Sequence, residues 1–238
     1  DGYPIAHFGE IIWAEFASQS EIRDRYYDDF STKTDVNVFA KMNYDLTSKW
    51  RLFGDIQYRN VGFKANGEDT GIVNDTFNFI NPKAGLSVAI KPKSTLYYSV
   101  GYTGREPTRN DMFGGNDDLL ADSLGNAILS NTKPEFVLNH ELGIRFQNKK
   151  FDFNANLYYM DFKNEIVLDG KFGPNGLALT NNVEQSFRTG LELSVIYKVT
   201  KHFSLVNNSS FNYSRIKEQT ETFSPILTPP IIINQEAV

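Results

Sequence analysis

The sequence predicts an all-β chain of antiparallel strands that builds a transmembrane β-barrel. Three observations predict it. Apolar residues recur at every second position, tight charged turns alternate with long loops rich in Gly and Asn, and aromatic residues collect towards strand ends. Short connections at one end of a sheet and long ones at the other are the pattern of outer-membrane barrels.

The alternation is clearest from Val36 to Tyr44, where Val36, Val38, Ala40, Met42 and Tyr44 share one face and Asn37, Lys41 and Asn43 the other, because strand side chains alternate. Trp50, Leu52, Gly54, Ile56 and Tyr58 then oppose Arg51, Asp55, Gln57 and Arg59. Pro82, Ala84, Leu86, Val88 and Ile90 oppose Lys83, Gly85 and Ser87, and Leu96, Tyr98, Val100 and Tyr102 oppose Thr95, Tyr97, Ser99 and Gly101. A third hairpin sets Leu138, His140, Leu142, Ile144 and Phe146, then Phe151, Phe153, Ala155, Leu157 and Tyr159, against Asn139, Glu141, Arg145, Asp152, Asn154 and Asn156. Leu191, Leu193, Val195, Tyr197 and Val199 oppose Arg188, Glu192, Ser194 and Lys198. The strand Phe203 to Tyr213 fits less well, since Asn207 and Ser209 interrupt its apolar face. A candidate first strand from Ile11 to Gln19 places Glu15 beside Ile11 and Trp13, or leaves a shorter apolar set of Ile12, Ala14 and Phe16.

Tight turns fall at Leu46–Lys49, Lys91–Ser94, Gln147–Lys150 and Thr200–His202, and loops are expected around 64–78, 103–135, 163–186 and 216–229. A soluble sandwich also alternates. The membrane reading rests on strands of roughly 9–13 residues, longer than usual in soluble proteins, and on rings at two levels. Tyr44, Trp50, Phe146, Phe151, Tyr197 and Phe203 lie near the short turns; Tyr58, Tyr102, Tyr159, Phe187, Phe211 and Tyr213 lie near the long loops. About ten strands result.

Composition narrows the function. The 238 residues are 40% hydrophobic and 14% aromatic, enough for one large all-β unit. The net charge of -5 argues against nucleic acid as a partner. With no cysteine there is no disulfide, thiol nucleophile or cysteine-metal site. No run of about 18 apolar residues exists to form a membrane helix, which leaves barrel strands untouched. Asp1-Gly2-Tyr3-Pro4 lacks the features of a signal peptide, and Ile231 to Val238 reads as the start of a further strand. The chain is therefore expected to be an internal part of something longer.

Several segments resemble the barrel of TonB-dependent outer-membrane receptors. They are Asn81-Pro82-Lys83-Ala84-Gly85-Leu86-Ser87, Leu96 to Tyr102, Gly104-Arg105-Glu106-Pro107-Thr108-Arg109-Asn110-Asp111, Lys133-Pro134-Glu135 leading into His140 to Phe146, Asn156 to Ile166, and Phe187 to Leu193. Their order and spacing carry the match from about residue 79 onward, and the Asn- and Lys-rich style with Tyr-Tyr-Met-Asp-Phe is similar to Bacteroidetes receptors. The resemblance implies a barrel of about 22 strands with a plugged lumen. Residues 1–238 would be part of that barrel domain, with the plug and the closing C-terminal strands outside them. It further implies a Gram-negative outer-membrane receptor taking up a scarce nutrient, such as a ferric siderophore or haem, energised by the TonB complex through the plug. Its contacts would be a small-molecule ligand and outer-membrane lipid. A glycan- or protein-binding surface module and a passive porin remain the alternatives.

Candidate sites are few. The 3 histidines, His7, His140 and His202, lack metal-ligand spacing, and no nucleophile–base pair is visible. No enzyme activity, cofactor or metal is expected, and Asp117-Asp118 lacks the alternation of a calcium loop. The loop from Gly104 to Asn131 is the sharpest candidate for ligand contact, through Arg105, Arg109, Asp111 and Phe113, the two arginines suiting an anionic ligand. The preferred reading of Arg105-Glu106-Pro107 itself is a structural corner whose arginine pairs with a lumen carboxylate. The polar stripe is expected mainly to bond neighbouring strands and the plug.

Overall fold

The computed structural model describes residues 6–7, 10–11, 29–67, 71–116, 119–173 and 176–217. Two-residue strands β1 (Ala6–His7) and β2 (Glu10–Ile11) pair with each other. The main sheet is an eight-stranded antiparallel meander of β3 (Asp29–Asp45), β4 (Trp50–Gly67), β5 (Val73–Lys91), β6 (Ser94–Arg105), β7 (Glu135–Gln147), β8 (Phe151–Phe172), β9 (Ala178–Lys198) and β10 (Ser204–Ile216). Each strand pairs with the next in sequence. Most of the candidate strand from Ile11 to Gln19, most of the 216–229 loop, Asp117-Asp118 and Ile231 to Val238 lie outside the described residues.

The four turns stand where the pattern puts them, and three share one device. A Thr47, Asn148 or Thr200 side-chain oxygen accepts two backbone N–H groups, those of Lys49 and Trp50, Lys150 and Phe151, and His202 and Phe203 respectively. These side chains replace ladder bonds that the reversing backbone cannot make.

Register fixes the faces, because residues directly opposite in an antiparallel pair share a side. Val38 meets Tyr58, Ile56 meets Pro82, Leu86 meets Tyr98, Tyr98 meets Leu142, Leu142 meets Leu157, and Leu157 meets Leu191. That outward face is apolar yet exposed: Val38 at 65%, Ile80 at 62% and Phe211 at 63%. Such a continuous greasy surface needs lipid rather than water. Rings cluster on it at two levels. Phe146, Phe151 and Tyr197 touch near the turns, and Tyr159, Phe187 and Tyr213 touch near the loops. From Phe151 to Tyr159 is about 27 Å along a strand at about 3.4 Å per residue. A tilt of about 40° reduces that to about 20 Å, close to the height of a barrel's apolar band. Asn207 and Ser209 do sit on this face of β10, where Ser209 Oγ donates to Asn207 Oδ1 at 3.0 Å and so satisfies itself locally.

The inward face carries the polar stripe. It is levelled by rings lying over glycines on the adjacent strand: a Cβ on Gly143 would fall 2.2 Å from the Tyr97 ring, and one on Gly190 would meet Tyr158 at 2.6 Å. Each ring stands directly opposite its glycine. Phe39 is an apolar exception on this side, with Lys41 Nζ 5.4 Å from its ring centroid.

Two expected loops are mostly strand. β4 and β5 leave only residues 68–72 between them, and β8 and β9 only 173–177, so the 64–78 and 163–186 regions are paired hairpins that rise far above the upper rings. Their composition looked loop-like because the environment inverts there. Above the bilayer the outside is water, so Asn60, Lys64, Asn74, Thr76 and Asn78 face outward. The inside is packed, so Val61, Phe63, Ala65, Val73 and Phe77 face inward. The period of two continues while its polarity swaps. By contrast β6 and β7, of 12 and 13 residues, stop near the upper rings.

The face assignment predicts unequal costs. Arg at Leu142 should destabilise the barrel by about 2–4 kcal/mol near mid-membrane, whereas Arg at Asn154 should cost far less. The heat-resistant folded fraction on a cold-loaded gel reads this directly, and equal losses would contradict the assigned faces.

Candidate functional site

The short β6 and β7 leave a notch between two tall hairpins, and residues 106–116 and 119–134 fill it. This segment is the loop expected around 103–135. It folds inward rather than standing free. Met112, Phe113 and Leu119 pack with Phe63, Ala65 and Val73 into the buried apolar cluster of the described residues, and Phe63 and Phe113 meet edge to face at 6.2 Å. Within it Arg109–Phe113 forms a short helix, capped by Thr108: Asp111 N–H donates to the Thr108 hydroxyl, and Thr108 N–H donates to the Asp111 carboxylate at 2.7 Å.

The segment is tied to both walls of the notch. On the β4–β5 side, Gly71 N–H donates to Leu119 O and Ala127 N–H to Ile72 O, each at 2.9 Å. On the β8–β9 side, Asn110 Nδ2 donates to Ala178 O, Thr180 Oγ1 donates to Asp111 Oδ1, and Lys133 N–H donates to Asn182 Oδ1. On each wall one close backbone approach requires a glycine. A Cβ on Gly71 would lie 2.7 Å from Ala127, and one on Gly173 would lie 2.6 Å from Gly115.

Beneath the loop is an ionic clamp. Glu106, with a side chain 7% exposed, accepts from Lys33 Nζ at 2.7 Å, Arg59 Nη1 at 2.8 Å and Arg59 Nη2 at 3.1 Å. Arg59 also binds Asp35, through Nε at 3.1 Å and Nη2 at 2.6 Å. One carboxylate from the loop therefore joins two cations and one carboxylate on the inner wall. Burial favours the neutral form of Glu106, yet hydrogen bonds from Lys33, its own backbone amide and Arg59 together outweigh it and hold the carboxyl below its ordinary value.

Below the clamp the inner wall opens into a depression of about 440 Å³, lined among others by Asn37, Lys41, Asp55, Gln57, Asn81 and Asn139. Lys41 Nζ lies 3.3 Å from Asp55, Lys83 in the same lining has no ion pair among the described residues, and the amides are partly spent on one another, Asn81 Nδ2 donating to Gln57 at 3.1 Å. The surface suits water or a polar partner. A second inward pair lies higher on β8 and β9, where Glu165 accepts from Ser186 and Arg188, and Arg188 covers the Phe162 ring at 4.8 Å. Asn164, with φ of 53°, precedes it and shifts the inward side from Phe162 to Glu165.

The residues expected to touch ligand are placed unequally. Arg105 stands directly opposite Glu135 and donates to it at 3.2 Å, an ion pair across adjacent strands. Asp111 and Phe113 are buried, Asp111 as helix cap and Thr180 acceptor and Phe113 at 2% exposure in the core, so both hold the loop's shape. Arg109 lies over the Phe113 ring at 4.3 Å and has no carboxylate partner among the described residues. The residue that sequence reasoning missed is Glu106. The available signal was the surplus of cations in Lys33, Asp35 and Arg59 at the upper end of one inward face, which calls for a second carboxylate.

The comparisons place this architecture. The family described as TonB dependent receptor-like, β-barrel matches residues 8–231, so the chain belongs to that family. Barrels of this family lie in the outer membrane of Gram-negative bacteria. Among solved structures, the chain is similar to the copper transporter OprC, with a TM-score of 0.63 and 16% identity over 78% of this chain and 29% of that one. It is also similar to the alcaligin outer-membrane receptor FauA of Bordetella pertussis, with a TM-score of 0.57 and 13% identity over 79% and 31%. The ferric-catecholate import receptor Fiu of E. coli K12 gives 0.57 and 17% over 81% and 29%. The chain thus spans less than a third of the length of these structures. A comparison with curated proteins gives no match.

The clamp makes a signed prediction. A carboxylate held below its ordinary value stabilises the fold fully above about pH 4.3, the unperturbed glutamate value, and loses that contribution as pH falls through its lower folded value. Protection factors of the amides in residues 106–116 and 119–134, corrected for the slower intrinsic exchange in acid, should fall from pH 5 towards pH 3. Glu106→Gln should bring the lower protection to pH 7, at a cost of about 1–3 kcal/mol of local stability. Unchanged protection in that variant would remove the clamp from the account.

Proposed function

We infer that this chain forms part of the wall of an outer-membrane receptor that takes up a scarce nutrient, with an iron chelate as the favoured cargo. The observation that carries the reading is the loop of residues 106–116 and 119–134, folded inward over a polar lumen wall and fixed to it by Glu106. A receptor needs an ordered surface at its mouth, and long ordered loops carry recognition more often than mere connection. The names of solved relatives favour iron: FauA is an alcaligin receptor, Fiu a ferric-catecholate receptor and FyuA a ferric yersiniabactin receptor. The copper transporter OprC, similar in fold, is named for a different cargo.

In this reading the wall sits in outer-membrane lipid, the ligand enters from the loop side, and a plug coupled to the TonB complex drives uptake. Arg109 is the principal anion contact, because its charge is not matched by a carboxylate among the described residues. Arg105 contributes from the notch edge, its charge shared with Glu135. Asp111 and Phe113 act by fixing the helix that presents Arg109.

Cells lacking the intact protein should fail to accumulate radiolabelled ferric chelate from a siderophore panel, and the wild-type gene should restore uptake. Arg109→Ala should weaken binding of an anionic ferric chelate roughly tenfold, the loss of a charge-assisted contact, while the barrel stays heat-resistant. Normal accumulation of every iron source in the deletion strain, with a growth defect on one glycan, would replace iron by glycan as the cargo.

A further inference from the structure

The outward face above the upper rings is not uniform. On β3, β4 and β5 the positions just beyond Tyr58 carry neutral side chains: Thr34 on β3, Asn60 and Gly62 on β4, Asn78 and Thr76 on β5. Tyr58 Oη and Asn60 Nδ2 both donate to Asn78 Oδ1, at 2.8 and 2.7 Å, so this part is satisfied within itself. Lys64, higher on β4, is the nearest charge there.

On β8, β9 and β10 the same level is cationic. Tyr159, Thr189 and Tyr213 form one outward row across the three strands. The next row is Asp161, Phe187 and Arg215, and the one above it contains Lys163 and Gln185, with Lys217 beside them through its N–H bond to Gln185 O at 3.0 Å. Lys163, Arg215 and Lys217 are all exposed. Lys163 and Arg215 have no ion pair among the described residues, and Lys217 reaches Asp161 only at 3.7 Å. Asp161 and the exposed Glu184 are the acidic neighbours, so the group is incompletely neutralised. Strands are spaced by about 4.8 Å, which brings Lys163 and Lys217, two strands apart, to within about 10 Å.

Height decides what meets these cations. The rings of Tyr159 and Tyr213 mark the edge of the hydrocarbon; Arg215 lies one outward row further out, level with Phe187, and the two lysines lie two rows out. Each row rises about 7 Å along the strand, so the cations stand at headgroup depth, facing lipid rather than the lumen. Basic side chains at that depth attract anionic headgroups.

We propose that Lys163, Arg215 and Lys217 form a binding site on the outer wall for the phosphate groups of an anionic lipid in the surrounding leaflet, with its acyl chains lying against Phe187, Tyr213 and Phe211. The site depends on the membrane placement of the wall and not on the identity of the cargo. Its failure would leave the uptake reading standing.

The test uses the intact receptor in detergent micelles, with a phosphorylated glycolipid purified from a Gram-negative outer membrane as probe. Enzymatically dephosphorylated glycolipid and inorganic phosphate serve as the comparison arms, and bound lipid is read by native mass spectrometry. Retention of the phosphorylated lipid should fall by about fivefold for each cation replaced in Lys163→Gln, Arg215→Gln and Lys217→Gln. Dephosphorylated lipid should bind as weakly as the triple variant does, and 0.5 M salt should weaken the wild type. Lys64→Gln should retain lipid as the wild type does. Single variants that keep a heat-resistant barrel preserve the test should the triple variant not fold. Equal retention by wild-type and variant barrels would overturn the proposal. So would equal retention of dephosphorylated lipid, or inorganic phosphate displacing lipid at equal concentration.

Discussion

Backbone hydrogen bonding in hydrocarbon is the constraint on which the rest depends. An unpaired N–H or C=O inside a bilayer costs several kcal/mol, so a spanning sheet must run as an unbroken ladder. The meander from β3 to β10 does this with each strand bonded to its sequence neighbour. With the ladder obligatory, the only freedom left to the sequence is what each side chain meets, and that alternates by geometry. Lipid claims Val38, Leu86, Leu142 and Leu191; the lumen claims Asn37, Asp55, Asn154 and Glu192.

The same alternation explains the upper part of the molecule. Once the strands pass the rings, water replaces lipid outside and the folded loop replaces water inside, so the apolar residues change sides without any change in the ladder. Phe63, Ala65 and Val73 continue the inward row of Asp55 and Arg59 but meet Met112 and Phe113. The protein therefore builds its buried core outside the membrane, where the hydrophobic effect has water to work against. Within the bilayer it relies on pairing, ring-over-glycine packing and matched charges. Glu106 stands at the boundary between these two regimes and ties them together.

Legibility in the sequence followed the same division. The spanning parts of β3 to β9 and the four turns were readable, because one period and one polarity hold throughout. Residues 64–78 and 163–186 were not, because segments such as Val73-Asn74-Asp75-Thr76-Phe77-Asn78 keep the period while exchanging faces, and their polar composition then reads as loop. The candidate loop was readable as long and ordered. Its internal wiring was hidden because Glu106 meets Arg59 and Lys33 at separations of 47 and 73 residues. Asp111 and Phe113 look like surface residues in a Gly- and Asn-rich stretch, and only the tall neighbouring hairpins make that stretch an interior. The resemblance to the receptor family rested on the order of several short segments from about residue 79 onward, and the family match extends it to residues 8–231.

A chain without cysteine offers a clean measurement of the central claim. Single cysteines placed in turn from Leu138 to Phe146 and carrying a nitroxide can be tested in lipid vesicles for relaxation by oxygen and by a water-soluble nickel chelate. Labels at 138, 140, 142 and 144 should favour oxygen, with a maximum near 142, while those at 139, 141 and 145 should favour nickel or neither. A uniform response along the strand, or oxygen preference at the odd positions, would contradict a wall that faces lipid on one side and a hydrated lumen on the other.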